Sequence, residues 1–480
     1  MSEYGRSRKK KRSRKRKPWR LPVCIAFAVL IGAAFLWYMD AGEKLAALPG
    51  FADRSAEQTD GRADASGEEY AEGTDTAGGA GSEDQVSDNA GTKKEASTGG
   101  AGEASGLPAE VSSVDHEGVG KAASEETEPE ETEAEETEPE TRYAMEAPDT
   151  LPLRTSDPDV ITLAFAGDIL FDESYAVMAS LLQRCGGEPD IWKAFDASMM
   201  EVMRGADLFM LNNEFPYSTR GTPLENKQFT FRARPKYASL LKDMGVDIVG
   251  LANNHVNDHG QQAMLDTFDT LDGIGMPYLG AGHDLAEASR IQYYTNGETK
   301  IGIVAATQIE RMGNPDTVGA TDTSPGVFRC MNPERLIAKI GEAKENCDYV
   351  IVFVHWGTEN AVQTDDWQNK QAVQFAEAGA DLIIGGHPHV LEKIESVRGV
   401  PCVYSLGNYW FNSRTLDTGV VEVRLDAHTG EYLGMRFVPA IQSGCRTTKC
   451  EGAEKQRILD ALESLSKGTT IDEDGNIHFE

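Results

Sequence analysis

From about Val160 onward, short apolar runs recur along the chain, at 160–166, 208–211, 248–252, 301–305, 349–354, 382–384 and 403–405. Runs this short, rich in β-branched residues and nearly continuous in hydrophobicity, predict strands buried on both faces. Between them the apolar spacing is helical, and it predicts helices over 192–204, 261–274, 333–346 and 366–378. Strands alternating with helices in this way predict a layered α/β domain. The tail reads differently. Alternation over 419–425 and 432–438 predicts a hairpin, followed by a helix at 453–467 and a closing hairpin at 471–479 around Asp474-Gly475. Asp472-Glu473-Asp474-Gly475 resembles part of a calcium loop, but the rest of that pattern is missing, and it reads as a turn.

Upstream of the domain the pattern breaks into two other regimes. Residues 21–39 are 19 positions without a charge; as a helix they span about 28 Å, close to the hydrocarbon thickness of a bilayer. Trp19, Trp37 and Tyr38 flank the run, where aromatic rings favour the interface. Eleven Lys or Arg precede it within residues 1–20, which places the N-terminus in the cytoplasm, against the bilayer, and everything after the span outside. The run is longer than a usual signal core and is not followed by a clear small-x-small cleavage site, so it reads as an anchor.

Residues 41–150 carry 29 acidic and seven basic side chains and few large apolar ones. A segment such as Glu125–Thr141, with its repeated Glu-Thr-Glu-Pro theme, buries too little apolar area to offset chain entropy, and its charges repel. The expected organisation is a basic segment 1–20, a transmembrane helix 21–39, a disordered acidic linker 40–155, the α/β domain 156–445 and a C-terminal helix and tail 446–480. With a net charge of −32 the whole surface is unsuited to nucleic acid, although a local basic groove for an anion is compatible with it.

Seven cysteines are present, none in a CxxC pair, which argues against a thiolate zinc site. Cys24 falls in the expected span. Cys347 and Cys402 fall in or beside apolar runs and read as core, while Cys445 and Cys450 either close a small loop or stand as free thiols.

The candidate chemistry lies at the ends of the predicted strands, where α/β domains bind ligands. There stand Gly167-Asp168, Asn212-Asn213-Glu214, Asn253-Asn254-His255 with Asp258 and His259 behind, His355-Trp356-Gly357 with Glu359, Gly386-His387-Pro388-His389, and Ser405-Leu406-Gly407-Asn408. Five of the nine histidines fall in these loops, a clustering that packing alone does not explain. Carboxylate, imidazole and amide oxygen together suit a divalent metal such as Mn, Fe or Zn. His387 and His389, two apart, face one side if the strand is strictly extended, and Pro388 restricts His387 to extended geometry.

In order and position these motifs resemble the CapA/PgsA capsule-synthesis family, which is associated with poly-γ-glutamate production or export. The resemblance covers about 161–411 and implies the layered α/β/β/α sandwich of calcineurin-like metallophosphoesterases. It also implies Asp168, Glu214, Asn254, His355, His387 and His389 as metal ligands and His255 as the histidine that protonates a leaving group. Two departures stand out. Leu170 occupies the position where the phosphoesterase motif has a histidine, which puts a two-metal site in doubt, and Glu214 stands where a bridging aspartate is usual. In a hydrolytic reaction, metal-activated water attacks phosphorus or an amide carbonyl. Either Arg232 and Arg234 both hold an anionic substrate through planar forks, or at least one of them is surface charge without a site role. Glu359 and Asn408 complete the expected substrate set. Trp356, Tyr409 and Trp410 either wall the pocket or pack the core.

The expected partners are the lipid bilayer, an anionic polymer or phosphorylated substrate, and capsule-synthesis membrane proteins. An extracellular metallophosphatase or nucleotidase, and a non-catalytic polymer-binding scaffold, are the alternatives on the same fold.

Overall fold

Alternate residues of the central strands feed different cores, and this sets the layering. In the strand Val160–Ile169, Ile161, Leu163 and Phe165 enter one apolar cluster, whereas Ala164, Ala166 and Ile169 enter another. The strand Tyr349–His355 does the same: Tyr349, Ile351 and Phe353 face the first cluster, and Val350, Val352 and Val354 face a third. Because side chains alternate across a strand, each sheet has two buried faces, which is why both runs read as continuously apolar.

The computed structural model describes residues 150–309 and 317–480. The expected cytoplasmic segment, the span at 21–39 and nearly all of the acidic linker lie outside these residues. Among the described residues no helix is long and apolar enough to cross a membrane.

One sheet has seven strands, ordered Thr150–Pro152, Gln292–Thr295, Lys300–Thr307, Tyr349–His355, Leu382–Gly386, Val400–Val403 and Ile394–Val397. The other has ten, with Leu416–Asp426, Val160–Ile169, Leu208–Asn213 and Ile248–Gly250 adjacent at its centre. The two sheets share the cluster built on Phe165, Met210, Ile303 and Phe353. Helices Ala176–Cys185, Ala197–Gly205, Ser239–Met244 and Gln261–Gly273 cover the outer face of the larger sheet through Leu181, Met200, Leu241 and Phe268. Helices Glu334–Asn346 and Asp366–Ala378 cover the smaller sheet through Leu336, Ile340, Ala372 and Phe375. The layers therefore run helix, sheet, sheet, helix.

Several expectations change. The single helix expected at 192–204 is a short 3-10 turn, Ile191–Lys193, followed by the helix Ala197–Gly205. The break falls where Phe195 forms a bridge to Thr447 and Asp196 accepts from the Lys449 amide, so tertiary contacts override the apolar spacing. The helix Ala176–Cys185 has no counterpart in the sequence reading. Residues 150–155, read as linker, include Thr150–Pro152, which pairs in parallel with Gln292–Thr295. The C-terminal residues belong to the larger sheet through Arg446–Lys449 and the hairpin Thr469–Ile471 with Asn476–Phe479. Cys445 and Cys450 are free, buried thiols.

A buried carboxyl beside the capping box of the helix Asp366–Ala378 yields a stability prediction. Glu392 is fully buried, accepts from Gln368 Nε2 at 2.7 Å, and leaves Oε1 without a partner. Burial pushes its pKa from 4.5 up to about 8. A carboxyl raised in the folded state binds its proton more tightly there, so stability falls as pH rises from about 4.5 to about 8. Glu392→Gln is expected to match the wild type near pH 5 and to exceed it above pH 8 by roughly 3–5 kcal/mol at most. Melting curves across pH check this; a gap independent of pH sinks it.

Candidate functional site

The carboxyl ends of both sheets converge on one buried cluster. Asp168 and Asn212 are not beyond their strands, as the sequence suggested, but within them, paired one step before the final pair of Ile169 and Asn213. His355 ends its strand and pairs with Gly386 and Thr307. The approach of Gly167 to Gly407 sets the position of Asp168: a Cβ on Gly167 would lie 1.9 Å from the Gly407 carbonyl oxygen, which accepts from the Asp168 amide at 3.0 Å. Gly167→Ala is therefore expected to destabilise by about 3 kcal/mol or more, since backbone rather than a flexible side chain must shift. Thermal unfolding of the variant measures this; an unchanged melting temperature refutes the close approach.

Glu214 sits at the centre, with no solvent exposure. Two ligand groups share it. The first is Glu214, His355 and His387; the second is Asp168, Glu214 and His389. In the first, His355 Nε2 lies 2.9 Å from Asn254 Oδ1, 3.1 Å from His387 Nδ1 and 3.3 Å from Glu214 Oε1. In the second, His389 Nδ1 lies 3.0 Å from Asp168 Oδ2, 2.9 Å from Asn408 Oδ1 and 4.0 Å from Glu214 Oε2. Asn212 Nδ2 donates to Asp168 Oδ1 at 2.7 Å, and Asn253 Nδ2 donates to Asn212 Oδ1 at 3.0 Å, which fixes the carboxylate from behind.

Electrostatics separate the two groups. Burial pushes His355 down to about 3 and His387 well below the usual imidazole range, so both are neutral. Burial and the neighbouring Asp168 charge push Glu214 well above the usual carboxyl range. Burial opposes protonation of His389, but Glu214 and Asp168 outweigh it and raise its pKa to about 9. For Asp168, burial is overcome by the hydrogen bond and charge of His389, and its carboxyl lies below the usual range. The second group thus sets a positive His389 imidazolium against the Asp168 carboxylate. The first has acceptor atoms converging with few protons among them, and among the described residues Glu214 Oε1 is buried without a hydrogen-bond partner. An orphaned buried carboxyl oxygen is costly until a partner satisfies it, so this donor set fits a divalent metal.

His255 lies beside the cluster, its Nε2 4.0 Å from Glu214 Oε1. Its Nδ1 meets Asp258 Oδ2 at 2.7 Å, and Lys227 Nζ meets Asp258 Oδ1 at 2.5 Å with its side chain almost fully buried. Burial, followed by the Lys227 charge, holds His255 well below the usual imidazole range. The neutral ring gives its Nδ1 proton to Asp258 and turns its Nε2 lone pair toward the cluster. The sequence offered no signal for Lys227, an isolated lysine between polar residues.

The segment Gly386–His389 departs from expectation. His387 and His389 have φ of +97° and +62°, so neither is extended and Pro388 does not hold His387 in a strand. Left-handed backbone at a non-glycine residue costs on the order of 1–3 kcal/mol and persists only where surroundings over-determine it. Here Trp356 and Asn360 amides donate to the Gly386 and Pro388 carbonyls, and Ser405 Oγ donates to the Val390 carbonyl. The strained turn sends both rings into the cluster.

The remaining candidates divide. Leu170 is fully buried in the helix-side core, and the Asp168, Glu214 and His389 group forms without a histidine there. Asn408, expected to bind substrate, is 1% exposed and accepts from His389, so it positions that ring. Glu359 is exposed, and its charge acts on Glu214, His355 and His389 from the rim. Arg232 and Arg234 do not join the cluster: they line a neighbouring cavity, and Arg234 pairs with Glu173 at 2.5 Å. Trp356, Tyr409 and Trp410 are core residues.

The family of bacterial capsule synthesis proteins PGA_cap matches residues 162–413. The PGA biosynthesis protein CapA of Bacillus subtilis (strain 168) is 28% identical over 337 residues, 69% of this chain and 85% of that protein. The capsule biosynthesis protein CapA of Bacillus anthracis is 26% identical over 329 residues, 66% of this chain and 76% of that protein. Among solved structures, a phosphatase from Mycoplasma pneumoniae is similar with a TM-score of 0.37 and 16% identity, over 59% of this chain and 95% of that one. A 5′-nucleotidase from Candida albicans SC5314 is similar with a TM-score of 0.34 and 12% identity, over 60% of this chain and 53% of that one. With the family match spanning more than half the chain and taking in every residue of the buried cluster, this protein belongs to the bacterial capsule synthesis family PGA_cap.

Proposed function

We propose that this chain is a membrane-anchored, extracytoplasmic factor for capsule or poly-γ-glutamate synthesis or export, with a metal-dependent hydrolytic site. One observation carries the hydrolytic reading: two histidine–carboxylate groups share Glu214, whose Oε1 is buried without a hydrogen-bond partner. Glu214, His355, His387 and Asn254 would hold one divalent cation, and Asp168, Glu214, His389 and Asn408 are placed for a second. Such an ion supplies Lewis acidity toward a phosphoryl or carbonyl oxygen.

The chain's own groups do the rest. Asp168 is held by Asn212, and His389 by Asn408, so neither ligand needs to reorganise. His255, with its tautomer set by Asp258, takes a proton at Nε2 and returns it to a leaving group. Phe231 on the His255 ring and Phe411 on the His389 ring exclude water from one side. The uncharged apolar run at 21–39 behind a basic segment, and the capsule-linked relatives, support an extracytoplasmic role at the cell membrane, beside other capsule-synthesis membrane proteins.

Elemental analysis of the purified full chain, followed on the same sample by phosphoester and γ-glutamyl substrates, tests this. Bound Mn, Fe or Zn with turnover supports the reading. A chain that takes up no metal, and whose Asp168→Ala and His255→Ala variants sustain normal surface polymer in cells, is a scaffold instead.

A further inference from the structure

Beside the metal-ligand cluster lies a cavity of about 570 Å³ whose lining includes Ser174, Thr219, Thr230, Arg232, Arg234 and His259. The segment that walls it is extended by alternation. Thr230, Arg232 and Arg234 face the cavity, while Phe231 and Ala233 are buried on the other side. Phe231 packs on the His255 ring at 4.3 Å and on Phe411 at 5.3 Å, and Phe411 packs on His389 at 4.9 Å. Asp258 accepts both from the Phe231 amide and from His255. The cavity and the cluster therefore share a wall one residue thick.

The charges in the cavity are unevenly satisfied. Arg234 is taken up by Glu173. Asp172 is taken up by the Ser174 amide and hydroxyl and by the Arg232 amide. Arg232 is half-buried, and among the described residues its guanidinium has only the Arg220 carbonyl as a hydrogen-bond partner, with no carboxylate in salt-bridge range. His259 is 7% exposed, its Nδ1 is buried, and among the described residues its ring makes no hydrogen bond. A partly desolvated guanidinium without a counter-ion, beside an unpartnered imidazole, is a receptor for an anion.

We propose that this cavity is a subsite for an anionic group of the substrate, a carboxylate or a phosphate, bound by the Arg232 fork with His259 as second donor. It lets a chain-like substrate place one charged unit here while the next lies at the cluster; this extension rests on the hydrolytic reading above. Arg234 has no part in it.

Titration of the full chain with a short γ-linked glutamate oligomer, with the same oligomer as its uncharged side-chain amide, and with inorganic phosphate, tests the subsite. The expected result is that the acid oligomer binds more tightly than the amide. Arg232→Met should weaken that binding roughly ten- to a hundredfold, and Arg232→Lys should recover part of it. Arg234→Met should leave it unchanged. Displacement of the oligomer by phosphate assigns a phosphoryl group; phosphate bound without displacement, or not bound, assigns a carboxylate. Equal losses in the two arginine variants, an unaffected Arg232→Met, or a wild type that binds neither probe overturn the proposal. Metal content of the same samples keeps the two readings apart: a metal-free chain that still binds the oligomer through Arg232 refutes hydrolysis and leaves the subsite standing.

Discussion

Glu214→Gln is expected to abolish metal uptake at both ligand groups while making the metal-free protein more stable. The two effects have one cause. Glu214 is fully buried, shared by both groups, and raised well above the usual carboxyl range by burial and by Asp168. A carboxyl raised in the folded state lowers stability as pH climbs past its unfolded value, and a neutral amide removes that penalty. The wild type regains stability only by binding a cation, in proportion to RT ln(1 + [L]/Kd), about 2.7 kcal/mol at a hundredfold excess over Kd. Titrating manganese against the melting temperature should therefore raise the wild type and leave the variant flat, with the variant higher at zero metal and neutral pH. A variant that melts lower without metal, or that still responds to it, contradicts the shared-ligand arrangement.

His255→Ala is expected to reduce turnover by about 10²–10⁴-fold without changing metal content, the range typical of a lost general acid–base group. The separation follows from position. His255 Nε2 is 4.0 Å from Glu214, outside both ligand groups, whereas its Nδ1 is tied to Asp258. Loss of metal along with activity would instead make His255 a ligand, and full activity would remove it from the chemistry. Asp258→Asn is a poorer probe, because it also breaks the buried contact with Lys227; removing one partner of such a pair typically costs about 3–5 kcal/mol. A loss of fold there would say nothing about proton transfer.

The lost histidine at Leu170 carries a different weight once the site is assembled. From the motif alone it removed one ligand from a two-metal site. In the fold, Leu170 belongs to the helix-side core, and Asp168 with His389 and Glu214 makes a second group regardless. That group is held together by an imidazolium, since His389 is raised to about 9 by the two carboxylates despite burial. A cation entering it displaces a proton, so metal affinity at this group should be weaker at low pH than at high pH.

The layered α/β class, the strand-end motifs and most residues of the buried cluster were legible in the sequence because they rest on local signals. Continuous apolar runs mark strands buried on both faces, as in Tyr349–His355, and the polar residues that follow them lie at the sheet ends by construction. Pairing across the chain was not legible. No local signal brings Thr150–Pro152 to Gln292–Thr295, breaks the helix before Asp196, or places Lys227 behind His255 through Asp258, because each depends on partners far away in sequence. The left-handed turns at His387 and His389 ran against the local preference set by Pro388; tertiary contacts, among them hydrogen bonds from Trp356, Asn360 and Ser405, hold them. The same holds for the two arginines. They are alike in the sequence, and only the tertiary structure gives Arg234 a carboxylate and leaves Arg232 without one among the described residues, because a charge's role is fixed by what the fold sets opposite it.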